Sequence, residues 1–150
     1  MPKKKHNAIF QTETEKIYEN IYEIDITHNR PASEATKQYF SSLGIPKNTP
    51  YDQALQFIAQ KQVKEEFQAG YLFTFSPEHI LQVYQDGKDT LSYDFMFTND
   101  NGEHYYWIRI TVRIFYWDED KSVSMFVYRQ NIDSSKRQEQ EMVEKWRKTP

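Results

Sequence analysis

Residues 104–117 read HYYWIRITVRIFYW. Neither Gly nor Pro interrupts the run, and β-branched and aromatic residues dominate it, the composition that suits a pleated surface. Tyr106, Ile108, Ile110, Val112 and Ile114 fall on one face, with Trp107, Arg109, Thr111 and Arg113 on the other. Period two with one fully apolar face predicts a strand whose apolar side lies on a core.

Two neighbours follow from the flanking turns. Upstream, Leu91, Tyr93, Phe95 and Phe97 alternate with Ser92, Asp94, Met96 and Thr98, and Asn99-Asp100-Asn101-Gly102 reads as a hairpin turn, since Asn and Gly tolerate positive φ. Downstream, the polar tip Asp118-Glu119-Asp120-Lys121 leads into a strand over Val123 to Ile132. The three strands form an antiparallel meander. Near the N-terminus, Tyr22, Ile24 and Ile26 alternate with Glu23, Asp25 and Thr27. That strand must lie beside the meander to bury its apolar face. Pro31 breaks it, and a brief second strand is expected around Ala32 to Ala35.

Between these strands the period changes. A short helix is expected over Thr36 to Leu43, ended by Gly44. Thr49-Pro50-Tyr51-Asp52 reads as a helix start, with Thr49 as cap and Pro50 at the first position. Val63, Phe67 and Tyr71 continue at helical spacing, weakened by Gly70, and Ser76-Pro77-Glu78-His79 repeats the cap-and-proline start. An amphipathic helix is expected over Ala8 to Asn20, carrying Ile9, Phe10, Ile17 and Tyr18, and a second one after Asp133. The fold class is therefore α+β: a single antiparallel sheet of about five strands with a helical block on one face and flanking N- and C-terminal helices. Residues 1–17 read as a tail and flanking helix, 18–133 as the domain and 134–150 as an exit helix.

Composition narrows the function. The chain has 150 residues, enough for one domain with a real core. With 19 basic against 22 acidic residues and a pI near 5.8, it lacks the concentrated basic face of a nucleic-acid binder. The absence of cysteine excludes disulfides, thiolate metal sites and cysteine nucleophiles, and fits a cytoplasmic location. No apolar run is long enough to span a membrane, so no membrane contact is expected from this segment and the chain reads as soluble.

Three stretches together resemble a PAS domain. The turn Asn99 to Gly102 followed by His104-Tyr105-Tyr106-Trp107-Ile108 is similar to the family's dG…yrWv pattern. Arg129-Gln130-Asn131-Ile132-Asp133-Ser134-Ser135-Lys136-Arg137 resembles its DIT end motif, where the sheet hands over to a helix leading to an effector, with Asn131 in place of the first Asp. The aromatic, helix-rich centre is the third. Coverage runs from about Tyr18 to Arg137. Within the family, SYDF…YYWIRI…IFYW ending in YRQNID looks most like the modules that precede GGDEF diguanylate cyclase domains in anaerobic Gram-positive bacteria.

The resemblance implies a non-catalytic sensory or regulatory module, excised from a longer bacterial signal-transduction protein. It would pass the state of a ligand or partner through Asn131, Ile132, Asp133 and Lys136 into the exit helix and on to a covalently linked effector, a diguanylate cyclase of cyclic di-GMP signalling. Met142, Val143 and Trp146 give that helix a narrow apolar stripe, which fits a homodimer formed through the flanking helices.

Candidate sites come with competing readings. Phe67, Tyr71, Tyr84, Tyr93, Phe95, Tyr106, Phe126 and Tyr128 would line a pocket for a flat small-molecule ligand, or simply pack as an aromatic core. Arg109, Arg113 and Arg129 would hold a small carboxylate, or pair with Asp94 on the outer sheet surface. No cofactor is expected. The flavin-adduct chemistry of related photoreceptors needs a cysteine, and His79 sits at a polar first turn rather than in a haem pocket. His28, His79 and His104 lie in separate segments without ligand spacing, and the Asn99-Asp100-Asn101-Gly102-Glu103 run lacks a calcium loop's distal ligands, so no metal site is expected. The rival reading is a stand-alone cone-shaped α+β binding protein or acid–base enzyme. It needs an inward-facing Asp94 with a raised pKa, and Tyr93 or Tyr106 as hydrogen-bond donor.

Overall fold

A computed structural model describes residues 20–148. The helix expected over residues 8–20 lies outside the described residues, except for Asn20, which opens the first strand. The strands are β1 (Asn20–Asp25), β2 (Arg30–Pro31), β3 (Thr90–Phe97), β4 (Tyr106–Trp117) and β5 (Ser122–Asn131). The helices are α1 (Glu34–Ser42), α2 (Tyr51–Gln62), α3 (Glu65–Phe75), α4 (Pro77–Gln85) and α5 (Asp133–Lys148).

The five strands form one sheet in the order β2-β1-β5-β4-β3, and every pairing is antiparallel. As the meander requires, β3, β4 and β5 are successive neighbours, and β1 closes onto β5 rather than onto β3. The β4–β5 hairpin turns at Asp118 to Lys121, where Lys121 takes φ 49°, and its register runs from Trp117 opposite Ser122 to Ile108 opposite Asn131. That register decides which β5 side chains face the helices. Met125 lies opposite Ile114, Val127 opposite Val112 and Arg129 opposite Ile110, so all three point to the core side.

The core lies between this face and α1–α4, with Ile24, Phe95, Ile108, Val112 and Met125 buried against Leu55, Tyr71 and Ile80. Burying side chains of this size contributes about 1.5–3 kcal/mol each relative to exposure, which makes this layer the main source of stability. Out of phase on β5, Phe126 and Tyr128 lie on the sheet's other face. There they form a small second cluster with Ile21, and half-buried Phe115 packs beside it.

Local signals placed the helices with two shifts. The second strand is Arg30–Pro31, not the stretch from Ala32, because Ser33 Oγ accepts the N–H of Thr36 and starts α1 there. Thr36, fully buried, accepts the N–H of Glu23 and donates to its carbonyl, so α1 is pinned to β1. Thr49 does not cap α2. Its hydroxyl donates to the Pro46 carbonyl, and the cap comes from Asn29, whose carbonyl and side-chain oxygens accept the N–H groups of Tyr51 and Asp52. The start at Ser76-Pro77 is as expected: Ser76 Oγ accepts the His79 N–H. Gly70 sits within α3 because the Tyr93 ring lies against it. A Cβ there would stand 2.9 Å from Tyr93 Cζ and closer still to its hydroxyl. Among the described residues, no helix is long and apolar enough to cross a membrane.

Candidate functional site: an aromatic cavity and the joint at the exit helix

Between the sheet and α1–α3 lies a cavity of about 60 Å³. The sheet supplies its floor from Ile108, Ile110, Met125 and Val127, and the helices cover it with Tyr39, Tyr51, Leu55 and Tyr71. The lining is apolar except at one end. There Arg129 enters from β5, the only charged residue among the described residues that line the cavity.

Its surroundings are tyrosines. The Arg129 guanidinium lies over the Phe97 ring at 4.9 Å, and its charge acts on the Tyr39 phenol. Tyr39 stacks on Tyr22 with centroids 4.5 Å apart, and its hydroxyl donates to Gln62 Oε1 at 2.7 Å. A polar contact thus ties α1 to the end of α2. Burial pushes the phenol pKa values of Tyr22, Tyr39 and Tyr71 upward, while the Arg129 charge opposes the rise in each. All three phenols stay protonated across the physiological range.

The sequence-derived residues are only partly brought together. Of the eight aromatic candidates, Tyr71 and Phe95 line the cavity, in edge contact with centroids 5.2 Å apart. Tyr93 stacks beside Phe95 and Tyr84 packs at the rim of the core, neither of them on the cavity wall. Phe67 meets the Trp107 ring, and Tyr106 meets Phe97 edge-on. Phe126 and Tyr128 face the opposite side of the sheet and line no part of the cavity. Both alternations of β5 carry apolar residues, so its period alone does not choose a face. Tyr22, Tyr39 and Tyr51 were missed; Tyr39 and Tyr51 sit in the helices whose starts were misplaced by one or two residues.

The three arginines also separate. Arg109 and Arg113 lie on the outer face, whereas Arg129 is inside. Asp94 is on the outer face too, opposite Arg109, which donates two hydrogen bonds to it at 2.7 and 3.0 Å. These bonds, outweighing the effect of burial, hold the Asp94 carboxyl below its ordinary value. A general base needs the reverse on both counts, so the Asp94 enzyme reading is overturned.

The end motif forms a joint. Asn131 Oδ1 accepts the N–H of Asp133 at 2.9 Å, taking a capping role in place of an ion pair. Ile132 N–H donates to the Trp107 carbonyl at 3.0 Å, and Asp133 Oδ1 accepts the Trp107 N–H at 3.1 Å. Arg137 holds the other carboxylate oxygen of Asp133, and these contacts keep its pKa below the ordinary value. One turn on, Lys136 lies 5.2 Å from the Trp107 ring centroid and 3.6 Å from Asp94. Trp107 therefore touches α5 on one side and Phe67 of α3, at 5.3 Å, on the other.

Two other places hold polar groups. In the β3–β4 turn, ligand atoms of Asp100, Glu103 and His104 lie within 4.8 Å of one another, a grouping that histidine spacing did not signal. His104 is hydrogen-bonded there to Asp100, and together with Thr98 it lowers the Asp100 pKa to about 2. A wider groove of about 1230 Å³ runs along the β1–β2 edge, open to solvent, with Asp25 held by His28 and Arg30. The His79 ring lies on Phe73, and its Nδ1 is 2.9 Å from the Thr74 carbonyl.

A five-stranded antiparallel sheet in the order 2-1-5-4-3, with helices and a small cavity on one face and a helix leaving β5, is the architecture of the PAS α+β fold. One solved structure agrees in fold. The chain is similar to a sensory box histidine kinase/response regulator from Burkholderia thailandensis, with 14% identity, TM-score 0.51, and coverage of 93% of this chain and 98% of that one. It is also similar to the N-terminal domain of a diguanylate cyclase with PAS/PAC sensor from Marinobacter aquaeolei, with 18% identity, TM-score 0.45, and coverage of 77% and 95%. The PAS domain of the fruit-fly ELK potassium channel matches with 11% identity, TM-score 0.46, and coverage of 84% and 96%. No family model and no curated protein matches the chain in sequence.

Proposed function

We propose that this chain is a non-catalytic sensory or regulatory module of a bacterial signal-transduction protein, acting in the cytoplasm. The occupancy of the aromatic cavity biases how sheet and helices pack, and α5 carries that bias to a covalently linked effector. One observation carries the reading: both backbone groups of Trp107 are bound by Ile132 and Asp133, so the start of the exit helix continues the sheet's own hydrogen bonding. A helix held this way shifts when β4 shifts, and Phe67 brings α3 to the same indole.

The effector we favour is a diguanylate cyclase. The support is the sequence resemblance of residues 92–133 to modules that precede GGDEF domains. Met142, Val143 and Trp146 are 61%, 50% and 77% exposed along α5, and this stripe supports a homodimer with paired exit helices.

The test starts from the source gene. The coding frame past Pro150 is read, and any catalytic domain found there is assayed in the full-length protein with and without Asp133→Ala. The reading expects a frame that continues in helical phase into an effector whose output changes in the variant. A stop codon directly after Pro150, or an effector indifferent to the substitution, would remove the transmission role.

A further inference from the structure

We propose that the cavity binds a small uncharged molecule with one acceptor oxygen, of the size and shape of acetone, whose oxygen accepts a hydrogen bond from the Tyr71 hydroxyl. This deepens the sensory reading and rests on it, since it names what the input site takes.

The tyrosines in the wall differ in where their hydroxyls go. Tyr39 donates to Gln62 Oε1 at 2.7 Å, and Tyr51 donates to the Phe75 carbonyl at 2.8 Å. Tyr22 is half-buried, so water can serve it. Tyr71 is 7% exposed, and among the described residues its hydroxyl has no hydrogen-bond partner. Edge contacts with Phe75 and Phe95, at 5.4 and 5.2 Å between centroids, fix its ring. The polar side chains that act on its phenol are Tyr39, Tyr51 and Arg129, and all three line the cavity. The free hydroxyl therefore sits at the cavity's polar end.

A buried hydroxyl without a partner is unfavourable, because its lost bonds to water are not replaced. A ligand oxygen replaces them. Burial keeps the phenol protonated, so the hydroxyl is a donor and the matching group is an acceptor. The apolar body of the ligand lies against Ile108, Ile110 and Val127. A charged acceptor is disfavoured. Arg129 is not free: it lies over the Phe97 ring and is engaged within the chain, so a carboxylate would enter apolar surroundings without a counter-charge. Water is the rival occupant.

Size sets the upper limit. A dry cavity of about 150 Å³ accepts benzene, and this one is about 60 Å³. The space suits about three or four non-hydrogen atoms, fewer than the flat aromatic ligand that the ring-rich sequence suggests.

The experiment is a titration of the whole 150-residue chain, followed by methyl NMR, with molecules of one shape. Acetone carries the acceptor oxygen, 2-methylpropene has a methylene in its place, and acetate carries a charge. Acetone is expected to shift the methyl resonances of Ile108, Ile110 and Val127, and to bind about fivefold or more tighter than 2-methylpropene. Acetate should leave them unmoved. Tyr71→Phe removes the hydroxyl alone. It should bring acetone down to the affinity of 2-methylpropene and leave 2-methylpropene bound at least as well as before. Tyr93→Phe, whose hydroxyl donates to the Phe67 carbonyl off the cavity wall, should change neither. Should Tyr71→Phe fail to fold, NOEs from bound acetone to the Tyr71 ring of the unaltered chain replace it, and their absence counts against the proposal. The proposal is overturned if acetone does not bind, if acetate binds as well as acetone, or if acetone keeps its affinity in Tyr71→Phe. Equal binding of acetone and 2-methylpropene also overturns it, because water then keeps the hydroxyl. Xenon, a probe of the same cavity without an oxygen, separates the two claims. If xenon alters α5 while acetone does not bind, the input-site reading stands and the ligand class is wrong. If acetone binds through Tyr71 and α5 does not respond, the ligand class stands and the sensory reading fails.

Discussion

The backbone N–H of Trp107 donates to the Asp133 carboxylate at 3.1 Å, and the carbonyl of the same tryptophan accepts from Ile132. The first turn of the exit helix is thereby a continuation of the β4–β5 ladder. Asp133→Ala removes the acceptor and leaves the Trp107 amide to water. The expected cost is about 1 kcal/mol, the usual worth of one such bond. Amide exchange at Trp107 should rise while that at Val112, in the middle of β4, stays slow.

Acidification loosens the same joint. The pKa values of Asp94 and Asp133 are lowered, chiefly by hydrogen bonds from Arg109 and Arg137 respectively. A depressed carboxyl contributes stability that is complete above its unfolded value, 3.8, and is lost as pH falls through the folded value. Protection of residues 133–137 should therefore hold down to about pH 4 and decline below it. Carboxyl-carbon titrations should place both midpoints under the ordinary value. Asp100 should titrate near 2. An Asp94 midpoint above the ordinary value would revive the enzyme reading.

Gly70 and Tyr93 give a test of packing. Gly70→Ala gains about 1 kcal/mol of helix propensity, yet its Cβ meets the Tyr93 ring. Overpacking against a partly buried ring stacked on Phe95 commonly costs about 1–3 kcal/mol, so a net loss of stability is expected in chemical denaturation. Tyr93→Phe in the same background should recover part of it, because the hydroxyl is the nearest atom.

Phe126→Ala distinguishes the two faces of the sheet. Phe126 is 5% exposed, and its ring lies 4.9 Å from that of Phe115. Truncation should destabilise the protein by about 3 kcal/mol and yet leave ligand titrations of the cavity unchanged. A matching loss of cavity binding would place this ring where the sequence pattern put it, on the helix side.

The strands were legible because residues 91–97 and 106–114 carry period-two patterns bounded by turns, and the meander followed from the two hairpins. The inner face of β5 was not legible, since residues 125–128 are apolar in both phases and period there gives no preference. The missing information was the register: counting back from Trp117 opposite Ser122 sets Arg129 opposite Ile110 and turns it inward, away from Arg109 and Arg113. Capping by Asn29, more than twenty residues from the Asp52 amide it serves, has no local signature at all. The exit motif was readable by resemblance, whereas its partner Trp107 emerged only from the fold.

The most direct measurement is amide exchange across α5 with the cavity empty and with it filled by xenon, a probe that suits small apolar cavities and needs no charge. The account predicts changed protection at Trp107 and over residues 132–137, along with the cavity-lining segments, and no change at the Asp118 to Lys121 turn. Xenon bound beside Ile108 and Val127 with exchange in α5 unaltered would contradict it, because the cavity and the exit helix would then be uncoupled.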